Sequence, residues 1–260
     1  MSIAKKHRTS TLADISTAMS KQGTNLSLET VRQRLNEQSI FKLQPLAKPL
    51  LSDDNRKFRL KWANSNRKTD WSKIIFTDET TFSQFNKPKQ VWRKKGEIVK
   101  APKVKHSAKV HVYGCFSEEG FGNIYCFTDN LDGELLCIIY KTTLLLSARK
   151  FFGDHDHSWK LQEDNDPKHM SKKAQKWRKE NNINRISWPS QSPDLNPMEN
   201  VWAVLKANVG NHKPTSVTDL IRIIKMEWKK LDKTFAKNLV ISMKNRISEV
   251  ISNEGDHILY

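Results

Sequence analysis

At about Trp71 the apolar residues of this chain change their spacing, which limits it to a helical segment followed by a mixed sheet. Before Trp71 they recur at helical intervals, as Leu12, Ile15 and Met19 and again as Leu28, Val31 and Leu35. After it come short runs rich in β-branched and aromatic residues. Ile74, Ile75 and Phe76 lead into Thr77-Asp78-Glu79-Thr80. Two further strands are expected over 110–116 and 123–127, with Glu119-Gly120 in the turn between them. A helix is expected over about 133–150, and a fourth strand over 159–162 runs into Glu163-Asp164. This order predicts an α/β fold, a mixed sheet flanked by helices, preceded by a small all-α region.

Thr11 and Asp14 have the spacing of a capping box, Gly23 breaks the first helix, and Ser27 can cap a second. Two helices joined by a short glycine-bearing turn make a helix-turn-helix unit. Its second helix would turn Thr30, Arg32 and Gln33 outward, residue types that contact phosphates and base edges of DNA. The plainer reading is a helical hairpin with solvated arginines. Pro45 and Pro49 mark a linker over 41–51, and a basic helix follows over about 53–63, with Phe58 and Trp62 one turn apart. The expected division is 1–51 for helix-turn-helix and linker and 52–260 for the larger domain.

Between the first and second strands, residues 86–109 carry nine Lys or Arg, among them Arg93, Lys94 and Lys95, against the single acid Glu97. Pro88, Trp92, Gly96 and Pro102 make this insertion read as a structured, DNA-contacting arm as readily as a solvated loop. Near the end, Asn196 and Pro197 open a helix, with Met198, Val201, Trp202, Leu205 and Val209 as its buried stripe. Two more helices close the chain, one from Ser216 and one ending before Gly255.

Forty-five Lys and Arg face twenty-eight Asp and Glu, a net charge of +17 spread along the chain. That surplus points to a polyanion, most commonly nucleic acid, and argues against a glycosidase, which could use paired carboxylates but needs no such charge. Cys115, Cys126 and Cys137 include no C-x-x-C pair, so neither a disulfide framework nor a zinc site is expected. No apolar run is long enough to span a bilayer, so no membrane partner is expected.

The remaining question is which acids lie where a metal could be held. Asp78 falls at the end of an apolar strand, where a carboxylate gains nothing from burial unless it is paired or ligates a cation. Asp164 falls at the end of another strand, and Glu199 in the first turn of a helix. Carboxylates from three elements can hold Mg²⁺ through oxygen. Two such ions about 3.5–4 Å apart can activate a water or a DNA 3′-hydroxyl and stabilise the departing oxygen. Spacing alone does not choose between Asp78 and Glu79, or between Glu163 and Asp164. His169, alone after Pro167-Lys168, reads as structural or solvated. Trp92, Trp159, Trp188 and Trp202 read as core or loop anchors.

Three motifs together are more specific. Thr77-Asp78-Glu79-Thr80, then Glu163-Asp164-Asn165-Asp166-Pro167-Lys168-His169, then the run from Trp188-Pro189-Ser190-Gln191-Ser192-Pro193 through Asp194-Leu195-Asn196-Pro197-Met198-Glu199-Asn200 resemble the catalytic motifs of Tc1/mariner-type transposases. The match is to the branch with thirty-four residues between its last two acids, here 165 to 198. Val91 to Glu97 and Tyr113-Gly114-Cys115 are also similar, although Tyr113 stands where a tryptophan is usual; the likeness is weakest over about 130–157.

The resemblance implies a ribonuclease-H-like core with Asp78, Asp164 and Glu199 as catalytic, metal-holding residues. It further implies two Mg²⁺ or Mn²⁺ ions, and a clamp loop at 86–109. Double-stranded DNA with terminal inverted repeats, insertion at TA sites, a homodimer on DNA and a nuclear site of action are implied as well. The family carries two helix-turn-helix units, and this chain has room for only the second, as an N-terminally shortened copy would. The alternative it leaves is an inactive or host-recruited derivative that binds DNA without cutting it.

Overall fold

The computed structural model describes residues 11–38, 40, 51–83 and 108–259. Lys5 to Arg8, Pro45, Pro49 and nearly all of the basic insertion, including Trp92, Arg93, Lys94 and Lys95, lie outside the described residues. The chain divides into two compact units, Met1–Lys48 and Pro49–Tyr260.

In the first unit, α1 (Leu12–Ser20) begins with the anticipated capping box: Thr11 accepts from the Asp14 N–H, and the Asp14 carboxylate accepts from the Thr11 N–H. Gly23 turns the chain at φ 82°. Ser27 caps α2 (Leu28–Glu37), accepting from the Thr30 N–H. Ile15 and Val31 are the buried contacts of the pair. Leu28, the first residue of α2 and expected in the stripe, is instead 49% exposed.

The second unit opens with α3 (Asp53–Ser65), capped by Ser52. It is built on five strands: β1 (Ile74–Ser83), β2 (Lys109–Ser117), β3 (Gly120–Phe127), β4 (Lys160–Gln162) and β5 (Asn184–Arg185). Their order is β3-β2-β1-β4-β5, with β1–β2 and β2–β3 antiparallel and β1–β4 and β4–β5 parallel. The helical stretch after β3 holds a π turn at Tyr140–Leu144 between α4 (Gly133–Ile139) and α5 (Leu145–Phe152). Then come α6 (Lys172–Glu180), α7 (Met198–Val209), α8 (Val217–Lys229) and α9 (Lys233–Ser252). No described helix is long and apolar enough to cross a membrane.

Strand alternation sends side chains to two cores. Ile74, Phe76, Val112 and Phe116 face a layer built from α3, α7, α8 and α9, centred on Trp62, Trp202 and Trp228. Ile75, Tyr113, Cys115 and Leu161 face the layer of α4, α5 and α6. The stripe of α7 is buried as expected, and each large side chain in it stabilises the fold by roughly 1.5–3 kcal/mol. Trp62 is buried while Phe58, one turn earlier, is 47% exposed.

One buried ion pair ties α3 to the rest. Arg59 is fully buried and grips Asp194 through two bonds, at 2.9 and 2.7 Å. It also donates to Ser192 Oγ and to the carbonyls of Gly255 and Asp256. Gly255 closes α9 at φ 87°, and a Cβ there would collide with the Arg56 carbonyl oxygen. Removing one member of such a pair strands the other charge, so Arg59→Ala is expected to cost about 3–5 kcal/mol in urea unfolding. Asp194→Asn should cost a similar amount, because it strands the buried Arg59 charge and turns an amide N–H toward the donors of Arg59 or Ile258.

Candidate active site

Asp78 is placed by the pleat of β1 on the face that packs against α7. Its Oδ1 accepts from the Glu79 N–H at 2.8 Å, and its Oδ2 accepts from Trp202 Nε1–H at 3.2 Å. The indole reaches that position because the residue opposite Asp78 on β2 is Gly114. A Cβ there would lie 2.7 Å from Trp202 Cη2 and 3.0 Å from Trp228 Cη2. The sequence signal was a glycine inside a strand, which often marks a close approach.

Asp164 leaves the end of β4, its Oδ1 accepting from the Asp166 N–H at 3.0 Å and its side chain 58% exposed. The loop that carries it is pinned by Arg185, which donates to the Asp164 carbonyl at 2.7 Å and to Asn165 Oδ1 at 2.7 Å. Glu199 stands in the first turn of α7. That helix starts at Met198, one residue later than expected, and Asn196 Oδ1 still performs the cap by accepting from the Met198 N–H at 3.1 Å. Arg246 holds the preceding loop, donating to the Asp194 carbonyl at 2.7 Å and to Asn200 Oδ1 at 2.6 Å.

These three acids line one cavity of about 320 Å³, together with Asn165, Asp166, Asn196 and the loop from Trp188 to Pro193. Burial, and then the nearby carboxylates Glu79, Glu199 and Asp164, push the Asp78 pKa well above its ordinary value. Partial burial also raises that of Glu199. Among the described residues no Lys or Arg is ion-paired with any of the three, and the Glu199 carboxylate has no hydrogen-bond partner. No three His, Cys, Asp or Glu side chains among the described residues already stand close enough to hold a metal ion together, so the three acids would have to draw in around one. A cavity lined by oxygen donors, with uncompensated negative charge and no thiolate or imidazole, fits a hard divalent cation that keeps part of its water.

The neighbouring acids are used differently. Glu163 is fully buried, with Arg178 at 2.8 Å, Arg185 at 3.2 Å, His169 Nδ1 at 2.9 Å and the Tyr140 hydroxyl around it. Burial opposes its charge, but His169, Arg178 and Tyr140 lower its pKa all the same. His169 is buried and structural. Burial alone would lower its pKa, yet Glu163 and Glu79 hold it up at about 10, so it is protonated at neutral pH. Its Nε2 lies 3.3 Å from Glu79 Oε2. Trp159, Trp188 and Trp202 are buried anchors.

Of the candidate DNA contacts, Gln33 and Arg32 face outward, with Arg32 paired to Glu29 at 2.7 Å. Thr30 is only partly exposed and its hydroxyl is engaged with Ser27 Oγ at 2.8 Å, so it serves the helix cap.

Fold and site define a DDE endonuclease. The model described as "DDE superfamily endonuclease" matches residues 73–221, and one described as "Transposase" matches residues 1–68. The chain is 31% identical to the Tcb1 transposase of Caenorhabditis briggsae, over 88% of this chain and 86% of that protein. It is 30% identical to the Tc1 transposase of Caenorhabditis elegans, over 96% and 93%. Its fold is similar to the Mos1 transposase paired-end complex with left transposon end, with TM-score 0.85, 14% identity, and 99% of this chain and 78% of that one covered. It is likewise similar to a Mos1 mariner paired-end complex with Mn, with TM-score 0.83, 15% identity, and 99% and 78% covered. The chain belongs to the Tc1/mariner family of transposases, enzymes that cleave DNA and transfer its strands, and its fold is the ribonuclease-H-like core preceded by a helix-turn-helix domain.

A carboxyl with a raised pKa destabilises the fold once ionised: the stability present at low pH is lost as pH rises through the folded pKa. Asp78→Asn should therefore remove this loss, so that the melting temperature of the metal-free protein no longer falls as pH rises toward neutrality as it does in the unmodified protein. It should also abolish the rise that Mn²⁺ gives the unmodified protein; scanning calorimetry reads both.

Proposed function

We propose that this transposase cuts DNA at the ends of its element and joins the freed strand to a target, with Asp78, Asp164 and Glu199 as the catalytic, metal-holding residues. The observation that carries the reading is their shared cavity, lined by Asp78 of β1, Asp164 just after β4 and Glu199 of α7. No described Lys or Arg is ion-paired to them, and the nearby cation is His169, 3.9 Å from Asp164 Oδ1. Two Mg²⁺ or Mn²⁺ ions bound there would activate a water or a 3′-hydroxyl and stabilise the departing oxygen. The protein's own part is positioning. Trp202 and the Glu79 N–H fix the Asp78 carboxylate, the Asp166 N–H fixes Oδ1 of Asp164, and the Glu199 carboxylate is left without a hydrogen-bond partner among the described residues.

In the first step a water oxygen bonds to phosphorus and the bond to O3′ breaks, leaving a 3′-hydroxyl and a 5′-phosphate. In the second, that 3′-hydroxyl displaces an O3′ of the target strand, so one phosphodiester forms for each one broken. Terminal inverted repeats are the substrate and TA sites the target in this reading. Two copies of the chain work together on DNA, in the nucleus. Arg32 and Gln33 on α2 contact the duplex, as do Arg93, Lys94 and Lys95 of the basic insertion. The paired-end DNA complexes of Mos1, one of them with Mn, support the reading.

The test is a labelled duplex carrying the repeat that flanks the protein's own gene, incubated with protein and Mg²⁺ or Mn²⁺. Cleavage at the repeat boundary is expected, with a loss of at least about 100-fold in Asp164→Asn, the scale seen when one catalytic group is removed. Binding without cleavage would overturn the enzymatic reading in favour of a DNA-binding derivative, and neither would overturn repeat recognition as well.

A further inference from the structure

The ladder between β1 and β4 ends at the pair Phe76–Gln162. Asp78 and Asp164 each lie two residues beyond it, so no ladder hydrogen bond fixes the gap between them. Thr77 Oγ1–H to the Gln162 carbonyl, at 2.8 Å, is the last direct link between the two strands. On the reverse face of the sheet a different bridge takes over. His169 spans from Glu163 Oε2, at 2.9 Å through Nδ1, to Glu79 Oε2, at 3.3 Å through Nε2. Each glutamate is the chain neighbour of one site acid, and by strand alternation Glu79 points away from the Asp78 cavity.

The two ends of the bridge differ in firmness. Glu163 is immobilised by Arg178 from α6, Arg185 from β5 and Tyr140 from the π turn. Glu79 is held only through His169: its other oxygen, Oε1, is buried and makes no hydrogen bond. The bridge is thus a rigid block on the β4 side with one tether across to β1.

We infer that Glu79 and His169 are positioning residues that set the separation of Asp78 and Asp164, and with it the affinity of the site for divalent cations. The inference rests on the reading that these two acids hold the metal. Neither Glu79 nor His169 lines the cavity, so they act by position and not as ligands; His169 Nε2 also lies 3.9 Å from Asp164 Oδ1, which makes the Glu79 variants the cleaner test of the tether. Partners of ligands that orient them typically contribute 10–100-fold in metal affinity.

The experiment is Mn²⁺ titration of the full chain, followed by the electron paramagnetic resonance signal of free Mn²⁺, with thermal unfolding recorded for each variant. Glu79→Ala cuts the tether and Glu79→Gln keeps an oxygen that accepts from His169, while both remove the charge beside Asp78. Expected is Mn²⁺ binding weakened about 10–100-fold in Glu79→Ala and near the unmodified value in Glu79→Gln. His169→Ala should weaken it as Glu79→Ala does. Equal weakening in both Glu79 variants would overturn the inference, because charge and not position would then be responsible. Wild-type affinity in Glu79→Ala and His169→Ala would overturn it too, leaving the three-acid reading intact. Failure of the unmodified protein to bind Mn²⁺ more tightly than Asp164→Asn would overturn both.

Discussion

The buried pair of Arg59 and Asp194 is the joint on which the second unit turns. It links a helix near the start of that unit to the loop that delivers Glu199, and to the segment that closes the chain. Burial opposes ionisation of Asp194, but the bonds from Arg59 and the Ile258 N–H keep its pKa below the ordinary value. Its contribution to stability is therefore present at neutral pH and lost as pH falls through that lowered pKa. The loop gains its shape from the same contacts: Arg59 takes the side chain of Asp194, Arg246 takes its carbonyl, and Asn196 is left to cap α7. A third acid on an unanchored loop would have no fixed relation to the other two.

β1 contributes in two directions. Midway along it, the even-numbered face presents Asp78 to Trp202 and the odd-numbered face presents Glu79 to His169. One face thus gathers negative charge without compensation, and the other balances it with Arg178, Arg185 and His169. Uncompensated charge is costly in a folded protein unless a cation arrives to offset it. Compensated charge behind it stiffens the strands that hold the site. The polyanionic partner implied by a net charge of +17 and the cation-seeking cavity are complementary parts of one chemistry.

Local signals were legible in the sequence wherever the partners lie within one turn of helix or one strand. Thr11 and Asp14, Ser27 and Ser216 cap their helices as spacing predicts, and the five-residue stripe of α7 is buried without exception. All four expected strands begin within three residues of their expected places. What escaped has partners far apart in the chain or too little length to show a period. β5 is two residues long, and its pairing depends wholly on β4. Arg59 and Asp194 are separated by 135 residues, and Trp202 and Asp78 by 124. Within each Asp–Glu pair, Asp78-Glu79 and Glu163-Asp164, composition could not tell the acid that faces the cavity from the one that pairs with His169 behind it. Only the direction of each side chain relative to the sheet separates them.

The most direct test of the three-acid site is anomalous diffraction from crystals of the protein soaked in Mn²⁺. Anomalous density is expected in the cavity beside α7, within coordination distance of carboxylate oxygens of Asp78 and Asp164, with Glu199 on a second peak or sharing the first. Density bound instead by Glu79, Glu163 or another acidic cluster, with none between Asp78, Asp164 and Glu199, would contradict the account.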